Sequence, residues 1–83
     1  MRHRAVVIGY GPVGRTVTRL LTQNEIAPTV IEMNMDTVKR LRAEGISAIY
    51  GDAGHRQTLI AAGVERAQSV IISVAGQIGR AHV

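Results

Sequence analysis

The chain contains no cysteine, tryptophan or phenylalanine, and two tyrosines are its only aromatic residues. Without cysteine there is no disulfide framework, no thiol nucleophile and no zinc site of the usual sulfur type. That fits a reducing cytoplasm. Without interleaved aromatics there is no platform for stacking the bases of a nucleic-acid strand. No apolar run approaches the roughly 18 residues of a membrane span, and the stretch after Met1-Arg2-His3-Arg4 is too short for a signal peptide, so a soluble chain is expected. Catalytic patterns are missing as well. There is no H-E-x-x-H, no Ser-His-Asp arrangement, no pair of carboxylates brought together by spacing and no metal-ligand spacing. The expectation is a protein with no catalytic residue and no metal site.

What remains is a chain of 83 residues, 46% hydrophobic, with a mean hydropathy of +0.11. It reads as one small globular domain over residues 1–83 with a core of Val, Ile, Leu and Ala. A domain of this size buries only roughly 60 to 65% of its unfolded surface, so modest stability is expected. The formal charge is +4 and the isoelectric point about 10.7. The basic residues are scattered, however, and only residues 39–42 form a local cluster. Solvated helix faces account for that pattern better than a nucleic-acid partner does.

The most informative stretch is Gly9-Tyr10-Gly11-Pro12-Val13-Gly14, between the apolar run Ala5-Val6-Val7-Ile8 and a helix-period segment. A lone G-x-G-x-x-G is a weak signal, but between a strand and a helix each glycine has a mechanical reason. Gly9 permits the tight turn, Gly11 lets the backbone approach a pyrophosphate, and Gly14 lets the helix pack on the sheet. The free amides and positive dipole end of that helix then face the phosphates.

A near-continuous β-branched run predicts a central parallel strand over residues 4–8. Val13, Val17, Leu20 and Leu21 define one apolar helix face, with Arg15, Thr18 and Arg19 outside, and Pro12 suits the first turn. A second strand is predicted over 28–32. Asn34 then caps a helix carrying Met35, Val38 and Leu41, which Gly45 ends. A third strand spans 48–50, a helix 55–62 stops at Gly63, and a fourth strand spans 70–74. This βαβαβαβ alternation predicts an α/β fold, a Rossmann-like parallel sheet of order 3-2-1-4 with right-handed crossovers and helices on both faces. Residues 76–83 are too few for the fifth and sixth strands of a complete dinucleotide fold. The sheet is therefore expected to be truncated after its fourth strand, with that edge covered by further chain or by an assembly.

Glu32 lies 18 residues past Gly14 at the carboxyl end of the second strand. A carboxylate there accepts both hydroxyls of an adenosine ribose and repels a 2′-phosphate, favouring NAD or an adenine nucleotide over NADP. Asp52, at the end of the third strand, faces the same edge, and reads equally well as a turn or capping aspartate. His55 sits near a helix start, and His3 and His82 lie at the termini; a solvated role suits each. Glu25, Glu44 and Glu65 read as surface charges.

Ala5-Val6-Val7-Ile8-Gly9-Tyr10-Gly11-Pro12-Val13-Gly14, Val30-Ile31-Glu32 with Asn34, Tyr50-Gly51-Asp52-Ala53 and Ala61-Ala62-Gly63-Val64, in that order, resemble the regulator-of-potassium-conductance (RCK) domain, also called the Trk-type N-terminal domain. Within it the chain looks most like the cytoplasmic part of glutathione-gated (Kef-type) potassium efflux systems and related cation:proton antiporters. The likeness covers roughly residues 4–76, and residues 77–83 fall outside it. It implies a non-catalytic domain that binds NAD(H), AMP or ADP, forms a homodimer or larger assembly, and transmits occupancy to a membrane transport domain from the cytoplasmic side of the membrane. The implied cofactor-binding set is Gly9, Tyr10, Gly11, Pro12, Val13 and Gly14 in the loop, Glu32 and Met33 after the second strand, Asp52 and Ala53 after the third, and Ala75 after the fourth. Pro12 stands where many members carry an arginine that reaches terminal phosphates, which disfavours ATP. Two rival classes are the cofactor-binding fragment of an NAD-dependent oxidoreductase and a basic interaction module.

Overall fold

Alternation along Ala5-Val6-Val7-Ile8 sends successive side chains to opposite faces of a strand, and both faces are covered. In the computed structural model, which describes residues 3–74 and 77–78, this run lies in β1 (His3–Ile8), with Ala5, Val6 and Val7 buried. The chain continues through α1 (Pro12–Gln23), β2 (Ile26–Glu32), α2 (Met35–Ala43), β3 (Ser47–Tyr50), α3 (Arg56–Ala61), a 3₁₀ turn at Val64–Arg66, β4 (Ser69–Val74) and β5 (Gln77–Ile78). The first four strands are parallel in the order β3-β2-β1-β4, as the alternation of elements predicts. The short β5 adds antiparallel to β4, pairing Ser73 with Ile78, where the sequence predicts no further strand.

Two apolar layers sandwich the sheet. Val7, Val30 and Ala48 meet Val38 and Leu41 of α2 and Val17 and Leu21 of α1 on one face. Val6 and Ile31 meet Ala62, Leu59, Val64 and Ala67 on the other. Helices thus cover both faces, α1 and α2 on one and α3 with the 3₁₀ turn on the other. Each fully buried aliphatic side chain contributes about 1.5 to 3 kcal/mol, and the layers fix the strand register because a one-residue slip would exchange them.

Two local features differ from the sequence expectations, and a third has no counterpart among them. Thr18, expected outside, is buried at 2% exposure, while Leu20, expected on the apolar face, is 49% exposed. At 100° per residue, Gly14, Thr18 and Leu21 share a stripe that Leu20 misses. The helix is rolled onto its glycine because that is where it approaches the sheet most closely. Next, β2 begins at Ile26, two residues early, with Pro28 inside it. Proline is tolerated there because β3 pairs only from Thr29 onward, leaving that side of Pro28 without a strand neighbour. Finally, no glycine marks the end of α1: Asn24 is the C-cap and Glu25 takes the left-handed conformation with φ 61°.

Candidate functional site

The glycine loop joins the carboxyl end of β1 to α1. Gly9 has φ +96°, and a Cβ there would run into the Ser73 carbonyl oxygen of β4. A Cβ on Gly14 would strike the Gly9 carbonyl oxygen, so α1 reaches the loop only because position 14 is bare. Around Gly11 the space is open: nothing lies within 4 Å of where its Cβ would be. Gly9 thus makes the turn and Gly14 allows the close helix packing that the spacing predicts for them, and the backbone at Gly11 is open to approach.

The two helices that share a face of the sheet, α1 and α2, begin differently. At α2 the Asn34 side chain accepts a hydrogen bond from the Thr37 amide at 3.0 Å. At α1 the N-cap is Gly11 and no side chain caps the first turn. Pro12 at the first position has no N–H, which leaves the Val13 and Gly14 amides as first-turn donors directed out of the helix. An uncapped first turn beside an open glycine is an anion cradle.

Glu32 terminates β2 and ties the edge together. Its Oε1 accepts from the Tyr10 amide at 3.0 Å and its Oε2 from the Asn34 amide at 2.8 Å. A carboxylate offers about four lone-pair sites, so two remain for the hydroxyls of a ribose. The backbone reinforces this arrangement, with the Gly9 amide donating to the Ile31 carbonyl and the Gly51 amide to the Glu32 carbonyl.

Gly9, Glu32, Met33, Asp52 and Ala53 line one cleft of about 230 Å³ with Ile8, Ile31, Gly51 and Ser73. Asp52 also has the turn role: its Oδ1 accepts from the Gly54 amide at 2.8 Å, and its backbone carbonyl from the His55 amide. Met33 is 63% exposed at the rim. Tyr10 reaches the site only through its amide. Its ring packs against the core on the α1 and α2 side, with the Arg15 guanidinium 5.9 Å from the ring centroid. Gly11 and Pro12 are exposed and Val13 half-buried at the mouth of α1. Ala75 lies outside the described residues. His55 is the exposed N-cap of α3, and His3 is exposed at the start of β1.

Ser73 is the cleft residue that spacing did not find. It is 7% exposed at the end of β4 and stands beneath the glycine loop. The available signal was its hydroxyl, the one polar side chain inside the run Val70-Ile71-Ile72-Ser73-Val74.

A larger hollow of about 640 Å³ lies at the opposite edge of the sheet, between Arg4, Pro28, Thr29, Ser47 and Arg66. It is not the candidate. In open parallel sheets ligands bind outside the carboxyl ends of the strands, where the order reverses, and here that is the β1/β4 edge carrying the loop. Among the described residues there is no group of three or more His, Asp or Glu able to hold a metal ion, and no helix long and apolar enough to cross a membrane.

Residues 5–79 match the family model described as "TrkA-N domain". The chain is also similar to a solved structure, the crystal structure of the TrkA-N domain of inner membrane protein YbaL from Escherichia coli. Identity is 30% and the TM-score 0.83, over 89% of this chain and 55% of that one. The chain thus spans little more than half the length of the relative it matches.

Proposed function

The chain belongs to the TrkA-N domain family, nucleotide-binding regulatory domains of potassium transport systems, and we propose that it senses NAD(H), AMP or ADP without catalysing a reaction and so gates a potassium or other cation transporter of the Kef type. The observation that carries this reading is the pairing of an uncapped α1 first turn with a fixed Glu32 carboxylate one strand away. The amides grip a phosphate and the carboxylate clasps the ribose. The 230 Å³ cleft is smaller than the roughly 300 to 1,000 Å³ of sites that enclose a drug-sized ligand. Its Glu32, Met33, Asp52 and Ala53 side suits the nucleoside, with the phosphates lying beyond it toward the mouth of α1. Glu32 disfavours NADP and the absence of a cation at Pro12 disfavours ATP.

The partners of this reading are a second copy of the chain and a membrane transport domain, in the same chain or another, which would hold the domain at the cytoplasmic face of the membrane. The YbaL relative supports it, being a TrkA-N domain of an inner membrane protein. Light scattering of a concentrated solution should then give a mass of at least two chains, and a clean monomer counts against assembly through this domain alone.

Thermal denaturation with and without nucleotide tests the ligand assignment. AMP or NAD(H) at a hundred times its Kd stabilises the native state by about 2.7 kcal/mol, raising Tm by on the order of 10 °C for a domain of this size. In Glu32→Ala most of that increment is expected to vanish. An unchanged increment would remove Glu32 from the site.

A further inference from the structure

Ser73 has no job in the reading above, yet its surroundings are those of a ligand contact. It occupies the carboxyl end of β4 and is one of two buried polar residues among those described, at 7% exposure. Ile8 pairs with Ile72, so Ser73 stands level with Gly9 in the neighbouring strand. Its side chain shares the sheet face of Ile71, the face carrying α1. There its Oγ would be 3.4 Å from a Cβ on Gly14, the third residue of α1. No hydrogen bond joins that hydroxyl to another described residue. Ser73 also lines the cleft that holds Gly9 and Glu32.

A purely structural account requires only that residue 73 be small enough to fit beneath Gly9 and Gly14. Alanine would satisfy that requirement equally, whereas serine adds a donor at the cleft that makes no hydrogen bond to another described residue. Resting on the nucleotide reading, we infer that Ser73 Oγ donates a hydrogen bond to the phosphate held at the mouth of α1, making Ser73 a phosphate-selecting residue of the site.

Geometry assigns the contact to the phosphate rather than the sugar. Glu32 ends β2 and Ser73 is the last residue but one of β4, with β1 between them, so the two lie about two strand spacings, roughly 9.5 Å, apart. The 5′-phosphate of an adenosine nucleotide projects from the opposite side of the ribose to the 2′- and 3′-hydroxyls. A ribose held by Glu32 therefore directs its phosphate across β1 toward Gly14 and Ser73. The hydroxyl then acts with the Val13 and Gly14 amides and takes the place of the donor that Pro12 lacks.

Calorimetric titration of the whole chain with AMP and with adenosine tests this. Hydrogen bonds to charged groups are worth enough that Ser73→Ala is expected to weaken AMP binding about tenfold or more, while leaving adenosine affinity unchanged. Ser73→Cys, similar in size and a weak donor, carries the same expectation and serves if the alanine variant does not fold. Equal losses for AMP and adenosine would mean that Ser73 acts through packing of the loop, and undiminished AMP binding would mean that its hydroxyl touches nothing; either overturns the contact. Failure of the unsubstituted chain to bind AMP is a different result, which removes the nucleotide reading together with everything resting on it.

Discussion

Thr18 is turned inward on α1, with its side-chain oxygen enclosed and without a hydrogen-bond partner among the described residues. Its neighbour one turn on makes a different use of the same group: Thr22 Oγ1 donates to the Thr18 carbonyl at 3.0 Å. A buried hydroxyl without a partner costs about 1 to 3 kcal/mol, and valine fills nearly the same volume with nothing to desolvate. Thr18→Val is therefore expected to stabilise the domain by about 1 kcal/mol, raising Tm by roughly 4 to 8 °C at this chain length, read by thermal denaturation. A fall in Tm would mean that the hydroxyl has a partner after all. Glu32 is the opposite case. Both of its oxygens already accept backbone amides, so on the proposed reading the carboxylate that would bind a ribose is held in place beforehand, and less ordering entropy would oppose binding.

The helices of the described chain end by two devices, and the difference accounts for what was legible in the residues. Gly45 and Gly63 take positive φ at the ends of α2 and of the α3 turn, so those stops could be read directly. α1 ends with Glu25 at φ 61°, a conformation that a side chain resists by about 1 kcal/mol. With no glycine to mark the stop, the sequence pattern predicts β2 from Pro28, whereas the strand begins at Ile26. Glu25→Gly is expected to remove that strain and to raise the midpoint of urea denaturation with the slope unchanged. A lower midpoint would show that the cost of extra freedom in the unfolded chain outweighs the strain relieved. The roll of α1 escaped the sequence for a related reason. Hydrophobic periodicity gives weight to Leu20 and none to Gly14, although the missing Cβ of Gly14 decides which face meets the sheet. By contrast the strand order, the two apolar layers, the Asn34 cap and the positions of Glu32 and Asp52 at one edge follow from strong local patterns. Ser73 did not, since no spacing rule distinguishes a serine under a loop from one in solvent.

Across the whole molecule the site residues gather at one edge of the sheet, while the larger hollow, lined by Arg4 and Arg66, lies at the other. A regulatory ligand shifts an equilibrium only by its difference in affinity between two conformations, so binding alone moves nothing. The elements that a nucleotide would join here are the glycine loop, the first turn of α1 and the β2–α2 turn, which in the free chain are linked through the Glu32 carboxylate alone among the side chains described. A phosphate bound as proposed would add a second link, from the Val13 and Gly14 amides, and so would stiffen the α1 mouth relative to the strand ends. Hydrogen exchange reads this directly. Saturating AMP is expected to slow exchange most at Gly11, Val13 and Gly14, next at Tyr10 and Asn34, and least at Thr29 and Ser47 beside the far hollow, because local openings are suppressed only where the ligand bridges them. Slowing equal at all these positions would mean that the ligand stabilises the fold without bridging the edge. A rise in Tm with no slowing at Val13 and Gly14 would place the nucleotide elsewhere on the domain, and with it the origin of any signal sent to a transporter.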